Sequence, residues 1–343
     1  PFRMDAYQFK SIPQSHPMAI IEKDIISYNS VWKKWEEGPY DNPDFGNGGN
    51  YNANRYVGSD VAINDQGDVI AIGTPQSNNS HIWRGFVNVK KIINGNWEFI
   101  TDRDQTLGYT YFGATFNSDG SSNNNGSHKE TGYSVDLNAE GNILVIGHPK
   151  DGNATNGANL GRGFVSVWLI TKDQSKTTGQ AFRTGLHGYY FVRLGVEITP
   201  QHMSTNSNQR FGHRLRISKT GNRVIIGAKH STTGFVEVFE YSSSLTTNVT
   251  PGGTWTRVHN TKLTTNNNNG RWGGRIAING DGSMVAMANN HPTHGEQGVW
   301  VYMDTGSAWY RFPFFAGGAA AVCMNRSGTR VAIHRSDGNM NYV

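Results

Sequence analysis

The chain has 343 residues, is 36% hydrophobic and 17% charged, contains 42 glycines and carries a formal net charge of +5. So little charge and so much Gly, Asn, Ser and Thr exclude a protein of long helices and suit many short strands joined by turns that accept positive φ, while 11% aromatic residues exclude general disorder. The basic residues form no run, which argues against a nucleic-acid partner, and no apolar run approaches a membrane span.

The chain opens at Pro1 with no signal-like segment and is expected to be a processed or partial product. Residues 1–24 hold Pro13, Pro17 and apolar pieces such as Met18–Ile21 without helical period, and are expected to form an arm that packs on its own domain or clasps a neighbour. Residues 25–343 are expected to form a single domain.

From Gly58 onward the sequence repeats. Gly58 and Gly67 stand nine apart, and the spacing recurs at Gly132/Gly141, Gly212/Gly221 and Gly273/Gly282, then with Ala319 replacing the first glycine before Gly328. Between each pair lie apolar residues at period two, Val61/Ile63, Val135/Leu137, Leu215/Ile217, Ile276/Ile278 and Val322/Met324, which predict a first strand. The turns that follow start with Asn64, Asn138, Ser218, Asn279 or Asn325 and end on the second glycine, the pattern of a type I turn closed by a left-handed residue. Second strands follow at Ile70/Ile72, Leu144/Ile146, Val224/Ile226, Val285/Met287 and Val331/Ile333, and the residues between are also apolar, so both faces of this strand are expected to be buried. Third strands begin at Gly85, Gly163, Gly234, Gly298 and Gly338; fourth strands span Trp97–Ile100, Tyr189–Val192, Trp255–Val258 and Trp309–Phe312.

Four strands per unit with the inner pair most apolar predict an all-β fold, a β-propeller of five four-stranded blades near 53–100, 127–195, 207–258, 270–312 and 316–343. The last copy ends at Val343 without a fourth strand. The segment 25–36, with Trp32 and Trp35 in the aromatic-x-x-aromatic form of Trp309–Phe312, is expected to complete that blade and close the ring; further blades beyond Val343 are the alternative. The single cysteine, Cys323, lies in the apolar stretch Ala319–Met324 and is expected to be a small core residue.

The strings Phe211–Ala228, Gly132–Pro149 and Tyr56–Pro75 resemble FG-GAP repeats of the integrin-α-like propeller family, with Gly234–Phe239 and Gly253–Trp255 continuing the first. The resemblance covers about Tyr56 to the end. It implies a protein displayed outside a cell or on a virion surface that binds other proteins, copies of itself, or glycans. Such blades often carry calcium loops with closely spaced Asp/Asn oxygens. No hairpin here has the full pattern, Asn117–Gly120 and Lys150–Asn153 being the nearest fragments, so no cofactor is expected, with calcium as the alternative.

Catalytic signatures are sparse. No nucleophile elbow appears, no recurring carboxylate pair suggests a glycosidase, and neither His291/His294 nor His202/His213 fits a metal-ligand spacing. A non-enzymatic structural or adhesion module is therefore expected, with a glycan-binding lectin and a five-bladed glycosidase as alternatives. Sequons at Asn78, Asn125, Asn153 and Asn248 fall in predicted loops and are candidate glycosylation sites, whereas Asn325 lies in a tight turn. The long connections around 101–131, 171–188 and 264–270 are the expected carriers of any binding function.

Overall fold

The chain divides between Asn50 and Tyr51. The computed structural model describes, within the second unit, residues 58–75, 85–101, 130–150, 162–200, 209–229, 234–242, 252–264, 273–289, 298–312, 315–316, 319–335 and 340–342. These form five antiparallel sheets in chain order. Sheet 1 holds β1 (Val61–Ile63), β2 (Val69–Thr74), β3 (Phe86–Ile93) and β4 (Asn96–Phe99). Sheet 2 holds β5 (Val135–Leu137), β6 (Ile143–His148), β7 (Phe164–Thr171), β8 (Phe182–Thr184) and β9 (Tyr190–Arg193) in the order β5-β6-β7-β9-β8. Sheet 3 is β10 (Phe211–Ile217), β11 (Arg223–Ala228), β12 (Phe235–Tyr241) and β13 (Trp255–Arg257). Sheet 4 is β14 (Ile276–Ile278), β15 (Met284–Asn289), β16 (Gly298–Asp304) and β17 (Trp309–Arg311), with the two-residue β18 (Phe315–Ala316) also paired to β16. Sheet 5 has β19 (Ala319–Met324), β20 (Val331–Arg335) and β21 (Met340–Tyr342). The predicted first, second and third strands all appear. The fourth strands fall within a residue or so of their predicted spans, and sheet 2 adds the outer strand β8.

Each first turn is built the same way. The second glycine adopts positive φ, from +69° at Gly141 to +83° at Gly221, and its amide donates back to the first turn residue, as in Gly67 N to Asn64 O at 3.1 Å. That first residue then caps the next strand with its side chain: Asn64 Oδ1 accepts from Val69 N, Asn138 Oδ1 from Ile143 N, Ser218 Oγ from Arg223 N, Asn279 Oδ1 from Met284 N and Asn325 Oδ1 from Arg330 N, at 2.8–3.0 Å. This is why Asn and Ser recur there: a short side chain carrying an acceptor can reach the amide of the returning strand.

The sheets stack face to face, which explains the two apolar faces of every second strand. Leu144 and Ile146 enter the core between sheets 1 and 2, whereas Ile143 and Val145 enter the core between sheets 2 and 3. Ile225 likewise faces sheet 4 while Val224 and Ile226 face sheet 2. A fourth core joins Ala286, Ala288 and Val301 of sheet 4 to Val331 and Ile333 of sheet 5. Four apolar layers between five sheets make a propeller-like stack.

Glycine sets how closely the sheets approach. A Cβ on Gly73 would lie 2.0 Å from the Gly132 carbonyl oxygen, one on Gly147 2.1 Å from Gly212 O, and one on Gly227 2.0 Å from Gly273 O. The repeat's first glycine therefore touches a glycine of the preceding sheet at three successive interfaces. At the fourth, both partners change together: Ala288 and Ala319 hold these positions.

Two faces differ from expectation. In the first strands, the residues three and five after the first glycine point to the preceding sheet, as Val135 and Leu137 do, and those two and four after it point to the next. Val61 and Ile63 of sheet 1 are 50% and 57% exposed, and Cys323 of sheet 5 is exposed rather than buried in a core. Cys323 sits where only a following sheet would cover it, and sheet 5 is the last one described. The segment 25–36, expected to close the ring, lies outside the described residues, as does the 1–24 arm.

Candidate functional site

The first strands β1, β5, β10, β14 and β19 stand side by side and form one edge of the stack. At the turn end of this edge the second turn residues are linked in a staircase. Asp65 N donates to Ala139 O, Ala139 N to Lys219 O, Lys219 N to Gly280 O and Gly280 N to Arg326 O, at 2.7–3.1 Å. Asp65 also receives the Lys219 ammonium, from two sheets away, and lies 3.9 Å from the Arg326 guanidinium of sheet 5. Side chains of sheets 3 and 5 thus reach back to the first turn.

Midway along the edge, two carboxylates and one guanidinium meet. Asp60 Oδ2 accepts from Val135 N at 3.2 Å and from Arg216 Nη1 at 3.3 Å. Asp136 Oδ2 accepts from Ile217 N at 2.9 Å, and its Oδ1 from Leu137 N at 3.0 Å. Each carboxylate staples its sheet to a backbone amide of the next. Burial pushes the Asp136 carboxyl up to about 6; Arg216 and the two amides oppose this, and Asp60 adds to it.

The opposite end of the edge is a mouth of different character. Glu130 and Arg210 lie two residues before the first glycines of sheets 2 and 3. Both hold left-handed φ of +49° without being glycine, a strained conformation that packing must enforce. They pair with each other, Arg210 Nη2 to Glu130 Oε2 at 2.6 Å, and Lys150 reaches Glu130 Oε1 at 2.6 Å. Immediately after the glycines stand Tyr133 and His213, their ring centroids 4.6 Å apart. The guanidinium carbons of Arg210 and Arg214 lie 5.2 and 5.7 Å from the Tyr133 ring centroid. A register shift in the β10–β11 pairing falls between Phe211 and Arg214; such a bulge redirects the side chains it carries, here His213.

His213 is 3% exposed, and neither ring nitrogen has a hydrogen-bond partner. Burial, followed by the charges of Lys229, Arg214, Arg210 and Arg275, drives its pKa down to about 2, so the imidazole is neutral. Arg214 and Arg275 occupy the same repeat position in adjacent sheets, and Arg275 is lowered by burial and then by Arg214. Chemically, this is a cationic mouth over a neutral imidazole.

A second polar group lies beneath it. Thr131 Oγ1 and His148 Nδ1 are 2.9 Å apart, as are His148 Nε2 and Ser166 Oγ, and Trp168 Nε1 donates to Ser166 Oγ at 2.9 Å. His148, Ser166 and Trp168 are all 0% exposed, so this chain of bonds locks the interior of sheet 2 rather than meeting a substrate.

Among the residues singled out from sequence, His213 and Lys150 belong to the mouth. The sequons at Asn78, Asn125, Asn153 and Asn248 lie outside the described residues, as do His202, His291, His294 and the calcium-loop fragments, apart from Lys150. Among the described residues no cluster of three His, Cys, Asp or Glu could hold a metal ion, and no helix is long and apolar enough to cross a membrane. The mouth residues stand at positions that the repeat copies do not share, so the repeat pattern does not mark them. The usable signal was the opposite: the positions two before and one and two after the first glycine, where the copies diverge into Glu/Arg, Tyr/His and Ser/Arg.

No protein-family model matches the chain, and no curated protein matches it. Solved structures do align with it. A functionally unknown protein from Desulfotomaculum acetoxidans is 10% identical over 83% of this chain and 68% of its own, with a TM-score of 0.45. Hydrazine synthase of Kuenenia stuttgartiensis is 13% identical over 82% and 70%, at 0.42. The Dos1 propeller is 12% identical over 83% and 69%, at 0.39.

Proposed function

We propose that this chain is a non-enzymatic binding module, a five-bladed propeller whose sheets 1 and 5 meet to enclose a central channel. Closure is supported by the staircase of turn hydrogen bonds and by the reach of Lys219 and Arg326 to Asp65. It is supported too by the matching open faces, Val61 and Ile63 on one side and Cys323 on the other. A strand from 25–36 would complete the last blade. The FG-GAP-like repeat is the support for display outside a cell or on a virion surface and for partners that are proteins, other copies of the chain, or glycans.

The observation that carries the binding reading is the use made of the inner carboxylates. A glycosidase needs one carboxyl to donate a proton and another to act as base or nucleophile. Asp60 and Asp136 share the edge, yet each commits its Oδ2 to a backbone amide of the neighbouring sheet. Incubation with a panel of nitrophenyl glycosides between pH 4 and 8 is expected to release no nitrophenol above buffer. Turnover that disappears in a folded Asp136→Asn variant would overturn the reading in favour of a glycosidase.

A further inference from the structure

We propose that the mouth formed by Arg210, His213, Arg214 and Arg275 beside Tyr133 is an oxyanion-binding site, built to take a carboxylate or sulfate group of an acidic saccharide. Three observations converge. First, the copies of the repeat place like charges together: Arg214 and Arg275 follow the first glycines of adjacent sheets at one position, and Arg210 stands just before the same glycine as Arg214. Positive side chains that converge on one place favour an anion there. Guanidinium groups also present paired donors that match the oxygens of carboxylate and sulfate.

Second, His213 is buried in the middle of these cations with both ring nitrogens unpartnered. A buried polar group left without a partner is destabilising, and a ligand that supplies an acceptor relieves it. Its neutral ring can offer one N–H to an oxyanion without adding to the repulsion. Third, the supporting groups are held in place. Glu130 fixes Arg210 and Lys150 through its two oxygens, and Tyr133 lies against both Arg210 and Arg214. The aromatic face is therefore taken up by cations, so recognition falls on the anionic group and not on stacking of a sugar ring.

The inference rests on the binding-module reading and names what the module takes, but the two fail separately. The test is titration calorimetry of the full chain with sodium sulfate, 3′-sialyllactose and a sulfated heparin-derived disaccharide, each beside neutral lactose. Binding of at least one anion, no binding of lactose, and a loss of tenfold or more in affinity in both Arg214→Gln and Arg275→Gln are expected, with circular dichroism confirming that the variants fold. Sulfate binding alone would assign the site to a free oxyanion and overturn the saccharide part. Binding of no anion, or anion binding unchanged in both variants, would overturn the site while leaving the module reading intact. Should either variant fail to fold, Arg214→Lys, which keeps the charge but removes the fork of donors, is expected to weaken binding, and unchanged affinity there would count against the site.

Discussion

Replacing Gly147 with alanine is expected to destabilise the protein by about 3 kcal/mol or more, at the upper end of what overpacking does. The new methyl would lie 2.1 Å from Gly212 O and 2.6 Å from Ser134 Oγ, which itself donates to that carbonyl at 2.9 Å. The obstacle is backbone, so no rotamer change relieves it. The sheets must separate locally, which opens the core that holds Val145, Phe211 and Leu215. Gly95→Ala is the control, since Gly95 has φ of +82° but nothing within 4 Å of an added Cβ. Only the left-handed penalty, about 1–2 kcal/mol, applies there. Urea unfolding midpoints of the two variants separate the effects. A Gly147→Ala protein no less stable than Gly95→Ala would mean that the sheets are not held at glycine contact.

The second large effect is pH-dependent and isolates His213. Its folded pKa lies near 2 against an ordinary 6.5. The unfolded chain takes up the proton as pH falls through 6.5, and the folded chain does not until about 2. Stability contributed by the neutral ring is therefore full above 6.5 and is lost on acidification, at about 1.4 kcal/mol per pH unit. Asp136 acts with the opposite sign. Raised to about 6 from 3.8, it binds a proton more readily when folded, so its contribution is present at low pH and fades as pH rises through 6. The wild-type curve mixes the two, and comparison with His213→Gln removes the shared part. Between pH 6.5 and 4.5 the wild type is expected to lose roughly 2–3 kcal/mol relative to the variant. Parallel curves would show that the ring can acquire its charge in place, despite Lys229, Arg210, Arg214, Arg275 and the adjacent Tyr133 phenol.

The part of this fold that was legible in sequence is the part that repeats. Gly67, Gly141, Gly221, Gly282 and Gly328 mark the turns because only that backbone conformation closes them, and Asn or Ser opens each turn because its side chain caps the returning strand. The apolar residues on both sides of every second strand announced the stacking, since a strand between two cores has no polar face to show. Strand β8 was not legible: Phe182–Thr184 sits at the outer edge of sheet 2, with Phe182 itself 41% exposed, and an edge strand has no buried face to impose a period. Cys323 misled for a related reason. The run Ala319–Met324 has core composition, but half of a first strand faces the following sheet, and which sheet follows the last one is a question of closure that local sequence does not answer. The mouth was illegible because Glu130, Arg210, His213 and Arg275 lie far apart in sequence and come together only when the first strands align.

The claim on which the channel and its mouth depend is that sheets 1 and 5 are neighbours. Val61 and Cys323 stand at positions that face each other only across that junction, so oxidation of a Val61→Cys variant by copper phenanthroline, followed by peptide mapping, tests it directly. A closed ring gives an intramolecular disulfide joining the β1 and β19 peptides, with no disulfide-linked dimer. Two thiols that stay free after oxidation, and that react with maleimide in the native protein as fast as in the unfolded one, would show that the ring does not close between these sheets.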